Sequence, residues 1–183
     1  MGARGSAATA AAIAILCLAV TAVLSIVVGP AQVFLLDRAL AVDPADVPRR
    51  IEAELPCGRH CKVSGITLFE HSFTVSVLSE EVEGRNLVYD FGIADAKLGR
   101  SLDAPGGFYF DYREIDWSLA TKLREDLNRM AIAGREVTDI SIRPCTYSKK
   151  VPERACMEAK VLTARGDVSR TVDASTGELL AER

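Results

Sequence analysis

Two stretches decide the fold: VSGITLFEHSF, residues 63–73, and VTDISIRPCTY, residues 137–147. Laid over one another without a gap, they match Val63 with Val137, Ser64 with Thr138, Ile66 with Ile140, Thr67 with Ser141, Leu68 with Ile142, Ser72 with Thr146 and Phe73 with Tyr147. Alternating apolar and polar residues is the period of a half-buried strand, which two unrelated strands can share by chance. They would not also share hydroxyl residues and a closing aromatic. The pair therefore reads as an internal duplication.

Working outward from each copy gives the same order of elements. Ahead of the first, Asp46 suits a helix N-cap, Pro48 the first turn and Gly58 a C-terminus, so a helix is expected over roughly residues 47–57. KVSGITLFE and SFTVSVLSE follow as strands rich in β-branched residues, then a turn at Glu83-Gly84-Arg85-Asn86 and a third strand, NLVYDFG. Ahead of the second copy, Asp116-Trp117-Ser118 opens a helix with Trp117, Ala120, Leu123 and Leu127 on one face, ending at Gly134. REVTDISIRP, ACMEAKVLT and VSRTVDA then form three strands, closed by the turn Ser175-Thr176-Gly177. The expected fold is α+β: an N-terminal transmembrane helix, then two tandem helix-plus-three-strand repeats forming one antiparallel sheet with the helices on one face. Residues 1–36 are the anchor, 37–46 a linker, 47–104 the first repeat and 105–183 the second.

The anchor reading rests on Ser6 to Leu36, which carries no charged side chain, whereas a helix crosses the hydrocarbon layer with about 20 apolar residues. Gly29-Pro30-Ala31 imitates a signal-peptide cleavage site, but the apolar run before it exceeds the ~7–15 residues of such peptides, so an uncleaved anchor is expected. Leu16 is too bulky to precede a lipoprotein cysteine at Cys17, and the myristoylation-like Met1-Gly2-Ala3-Arg4-Gly5-Ser6 is redundant ahead of a spanning helix.

The whole chain carries a net charge of −3, and residues 1–36 hold Arg4 as their single charge, which leaves −4 for the remainder. With no basic stripe interleaved with aromatics, nucleic acid is excluded as a partner. Basic residues place Arg38, Arg49 and Arg50 behind the anchor against Arg4 before it, a weak pull toward a cytoplasmic C-terminal domain. The cysteines pull the other way. Beyond Cys17 they fall as two close pairs, Cys57 with Cys61 and Cys145 with Cys156, the pattern an oxidising compartment favours. The globular part is expected to be extracytoplasmic, on the periplasmic side of a bacterial inner membrane.

Cys57-Gly58-Arg59-His60-Cys61 invites a catalytic or metal reading, and neither survives its context. Redox enzymes place two cysteines three apart at a helix N-terminus, where the dipole lowers the thiol pKa; here the spacing is four and the helix is ending. His60 and His71 are the two histidines of the chain, yet a strand from residue 62 to 70 at ~3.3 Å per residue carries His71 ~30 Å from Cys61, too far for one tetrahedral zinc. A structural clip remains. No nucleophile elbow, phosphate loop or dinucleotide fingerprint occurs, and no cofactor is expected.

The C-terminal VSRTVDASTGELL resembles PepSY domains, whose last strand runs into Val-Asp-Ala-x-Thr-Gly-Glu. Two such units in tandem resemble the β-lactamase-inhibitor-protein type of fold, in which two helix-plus-sheet repeats build one curved sheet. The resemblance spans residues 44–181, and the first repeat departs from it, with Tyr89-Asp90-Phe91-Gly92 to Leu98-Gly99 in place of the motif. Phe108, Tyr109, Phe110 and Tyr112 lie between the repeats, where they suit either the packing of the junction or a partner groove. The chain is accordingly expected to be a non-enzymatic, single-pass module that sits in the bilayer and binds another protein as an accessory subunit or regulator of a membrane complex. The alternative is a small-ligand carrier or enzyme using the concave sheet face, which would need polar groups clustered on neighbouring strands. An apolar patch with a polar rim would favour protein binding.

Overall fold

Among the described residues, eight strands hydrogen-bond in the order β4-β3-β2-β1-β5-β6-β7-β8. The computed structural model describes residues 41–92, 95–103, 109–145 and 154–183, and Val42–Arg183 forms one unit. Helix α1 (Val47–Glu54) precedes β1 (Val63–Leu68), β2 (Phe73–Leu78), β3 (Arg85–Phe91) and β4 (Lys97–Asp103). Helix α2 (Ser118–Asn128) precedes β5 (Ile140–Pro144), β6 (Ala155–Thr163), β7 (Gly166–Asp173) and β8 (Leu179–Glu182). Every neighbouring pair is antiparallel.

Each unit is thus a helix with four strands, which corrects the expected helix-plus-three-strand repeat. The two unforeseen strands, β4 and β8, are the edges of the sheet. All seven residues of β4 are exposed, and β8 reads exposed, exposed, half-buried, exposed. Neither carries the alternation by which a strand is recognised, because its side chains are mostly exposed rather than sent alternately into a core. The expected transmembrane helix is corrected too: no helix among the described residues is long and apolar enough to cross a membrane. The segment read as the anchor, residues 1–36, lies outside the described residues.

Where β1 meets β5, Ile66 pairs with Ile142, Thr67 with Ser141 and Leu68 with Ile140. The gapless alignment puts Thr67 on Ser141, and these two stand directly opposite, with the aligned pairs crossing symmetrically on either side. That is the symmetry of two equivalent units joined about a local two-fold through Thr67 and Ser141.

Core and surface follow from the two-residue period of a strand. Val75, Val77, Phe73, Phe91, Ile66 and Leu68 are at most 2 % exposed and share one face. Ile140, Ile142, Met157, Ala159 and Val161 continue that face across the second unit. Ile51 and Leu55 of the first helical segment and Ala120, Leu123 and Leu127 of α2 join the same cluster, so both helices pack there. On the opposite face a polar row crosses the sheet in register: Asp90, Thr74, Thr67, Ser141, Glu158 and Thr171.

Both helices are shorter than expected, α1 from its end signals and α2 from its periodicity. α1 stops at Glu54, and Gly58, at φ 50°, begins a 3-10 turn to His60. Asp46 does not cap α1 but ion-pairs with Arg49 at 3.0 Å, whereas Asp116 does serve α2, its carboxylate accepting from the Ser118 N–H at 3.0 Å.

Candidate functional site

Two disulfides frame the domain. Cys57 and Cys61 are bonded across the 3-10 turn with their Cα atoms 4.9 Å apart, fixing the exit from α1 into β1. Cys145 and Cys156 are bonded with a Cα separation of 5.1 Å, beside the last β5–β6 pair. The Cys145 N–H donates to the Arg154 carbonyl at 2.8 Å, so the ladder continues up to the bond. Replacing Cys145 and Cys156 together by serine is expected to lower the unfolding free energy by ~2–3 kcal/mol through loop entropy while leaving the fold intact, as denaturant titration would read. Of the two histidines, His60 is exposed and His71 half-buried, and no cluster of three or more metal-ligating side chains occurs among the described residues.

The Val-Asp-Ala-x-Thr-Gly-Glu stretch forms a structural turn. Asp173, 2 % exposed, accepts through Oδ1 from the Ser175 N–H at 2.9 Å, the Ser175 hydroxyl at 2.7 Å and the Thr176 N–H at 3.0 Å. Its other oxygen faces Arg154 at 3.4 Å. Burial alone would raise the Asp173 pKa, but the donors from Ser175 and Thr176 outweigh it and hold the carboxyl below its ordinary value. The same turn reaches α2: the Asp116 N–H donates to the Ala174 carbonyl at 2.9 Å, and Gly177, at φ 74°, lies against Leu119. A Cβ at 177 would stand 2.9 Å from a Leu119 methyl, so Gly177→Ala is expected to lower the thermal midpoint on two counts, backbone strain and crowding.

Of the aromatic stretch, Phe110 is 5 % exposed and Tyr112 1 %, and both belong to the core; Tyr109 is half-buried and Phe108 lies outside the described residues. The Phe110 N–H donates to the Val63 carbonyl at 2.9 Å, alongside the end of β1 beyond its last pair with β5. The Trp117 indole donates to the Tyr112 carbonyl at 3.3 Å. These side chains pack the junction between the units and leave little aromatic surface for a partner.

What sequence reasoning missed is a cleft of 340 Å³ between α2 and the β7–β8 edge. Leu119, Leu123, Val172 and Leu179 give it an apolar lining, and Lys122, Asp126, Arg170 and Glu182 its charged groups. Leu179 is 54 % exposed, and Arg170 and Glu182 pair at 2.8 Å. The α2 contribution is legible as positions 119, 122, 123 and 126, one helical stripe; the β8 contribution needed a strand the sequence did not announce. A shallower depression of 460 Å³ beside Glu70, Glu136, Asp139, Lys160 and Asp167 is lined chiefly by charged residues.

On the polar face, Ser64, Ser76 and Asn86 form a chain. The Asn86 amide donates to Ser64 Oγ at 3.0 Å, and the Ser64 hydroxyl to Ser76 Oγ at 2.9 Å. Asn86 Oδ1 has no partner among the described residues and is closed to solvent. It suits an interior water better than a ligand arriving from outside.

No protein-family profile matches the chain, and no curated protein matches it. Among solved structures, a candidate lipoprotein of Clostridium difficile 630 is similar, with a TM-score of 0.45 and 9 % identity over 67 % of this chain and 82 % of that one. The PepSY resemblance thus rests on residues 168–180 alone.

Proposed function

We propose that the chain is a non-catalytic, extracytoplasmic module that works by binding another protein, as an accessory or regulatory subunit. The cleft beside α2 carries this reading: an apolar floor with a charged rim, opening onto an edge strand, is the anatomy of a protein-recognition surface. The two disulfides support an oxidising compartment, where such bonds persist. Against an enzyme stands the use of the polar groups. Asp173 is committed to a turn, Glu54 to Arg50, and Asp111 to Arg113, whose guanidinium holds the Asp111 carboxyl below its ordinary range.

The small-ligand alternative draws on the polar face, where hydroxyls do cluster on neighbouring strands. The acceptor there that finds no partner among the described residues, Asn86 Oδ1, is however shut away from solvent. The deciding experiment is copurification of the full chain from its native membrane fraction after mild crosslinking, with partners identified by mass. One protein recovered in fixed proportion supports the reading. Recovery of the chain alone, with a small molecule retained, would replace it by the carrier.

A further inference from the structure

The two units carry the same helix pair and use it once. The offset that lays Ile51 on Leu123 and Leu55 on Leu127 also lays Arg50 on Lys122 and Glu54 on Asp126. In the first unit this pair is fully occupied. The Arg50 guanidinium lies 5.3 Å from the centroids of both Phe73 and Phe91, bonds Glu54 at 2.7 Å and donates to the Gly92 carbonyl at 2.8 Å. Glu54 in turn accepts from the Ala96 N–H at 2.7 Å. The helix pair therefore holds one carbonyl and one N–H of the β3–β4 connection above an aromatic floor.

Strand pairing identifies the matching floor in the second unit. Leu68 pairs with Phe73 and Phe73 with Phe91; Ile142, aligned with Leu68, pairs with Met157 and Met157 with Val172. Valine thus stands where Phe91 stands, and the missing ring coincides with the cleft, which Val172, Lys122 and Asp126 all line. Asp126 pairs sideways with Arg129, and Lys122 makes no ion pair among the described residues.

Resting on the protein-binding reading, we infer that this cleft is the seat of an extended segment of the partner, which supplies what the first unit supplies to itself. One apolar side chain of the segment enters over Val172 and Leu179. A main-chain carbonyl accepts from Lys122, and a main-chain N–H donates to Asp126. Among the described residues no strand pairs with the outer side of β8, which leaves it for main-chain pairing with the same segment.

The test selects a displayed library of short random peptides on the full chain, then measures the enriched peptides against variants. Val172→Phe restores the first unit's ring and fills the seat. Leu179→Glu changes a side chain that is 54 % exposed and lies outside the core cluster. Enriched peptides sharing one apolar residue, and weakened about tenfold or more by Val172→Phe, Leu179→Glu and Lys122→Glu, are the expected result, since these variants in turn fill the seat, charge its apolar lining and remove the Lys122 side-chain donor. Absence of enrichment, equal binding to wild type and Leu179→Glu, or self-association of the chain that Leu179→Glu abolishes would each overturn the inference. A crosslinked partner recovered equally with wild type and Leu179→Glu would remove the cleft while leaving the protein-binding reading in place.

Discussion

Phe91→Ala is expected to destabilise the domain by ~3–5 kcal/mol, the range for truncating a fully buried aromatic. Phe91 is 0 % exposed and stacks on Phe73 with ring centroids 4.3 Å apart. Truncation leaves a cavity, removes the stacking and takes away half of the floor beneath the Arg50 guanidinium. Arg50 and Glu54 are each one-fifth exposed, so their pairing gains from partial desolvation and depends on that floor for its position. The measurement is chemical unfolding of wild type and variant. A loss below about 1 kcal/mol would show that the helix pair, rather than the rings, holds β3 and β4. Phe91→Leu separates the two effects, since it keeps most of the volume and should retain more than half of the stability.

Asp173→Ala should cost ~2–4 kcal/mol, because it strands three donors of the turn and uncouples Arg154. The loss should extend to the start of α2, which is tied to that turn through Ala174 and Asp116. Asparagine in its place keeps an acceptor and should recover part of the loss. The same group predicts the response to acid. Its folded pKa lies below the ordinary carboxylate value of about 3.9, so its contribution is complete above that pH and is lost as the pH falls through the lowered value. Glu54, held low by Arg50 and the Ala96 N–H, acts in the same direction and the same window. Stability should therefore be flat from neutral pH down to about 5 and fall below about 4, more shallowly in Asp173→Asn. An equal acid slope in wild type and Asp173→Asn would exclude Asp173 as a source of it.

The central strands were legible because burial is written into them. β1, β2, β5 and β6 each send alternate residues into one core, and selection for that core leaves a two-residue period that needs no partner to be read. The likeness of residues 63–73 to 137–147 carried further information, the identity of the residues that meet where the units join. Helix starts were partly legible, since Asp116-Trp117-Ser118 does open α2, with the Asp116 carboxylate accepting from the Ser118 N–H; Asp46 pairs with Arg49 instead. The cysteine pairs were legible for a different reason, their short separations along the chain.

The edges were not. β4 and β8 are strands because β3 and β7 offer them a row of backbone partners, and their own side chains, facing solvent, record none of this. Gly99 shows the same dependence: a Cβ there would fall 2.3 Å from the Asp90 carboxylate, a contact created by pairing with β3. The aromatic run from Tyr109 to Tyr112 could serve the junction or a partner by its chemistry, and packing chose the core for Phe110 and Tyr112. Sequence by itself determined the central strands, their duplication and the sites of the disulfides, because local period and residue type suffice for these. Tertiary structure alone decided that each unit has a fourth strand and that the second leaves a cleft where the first is filled, because both depend on what stands opposite a residue rather than on the residue itself.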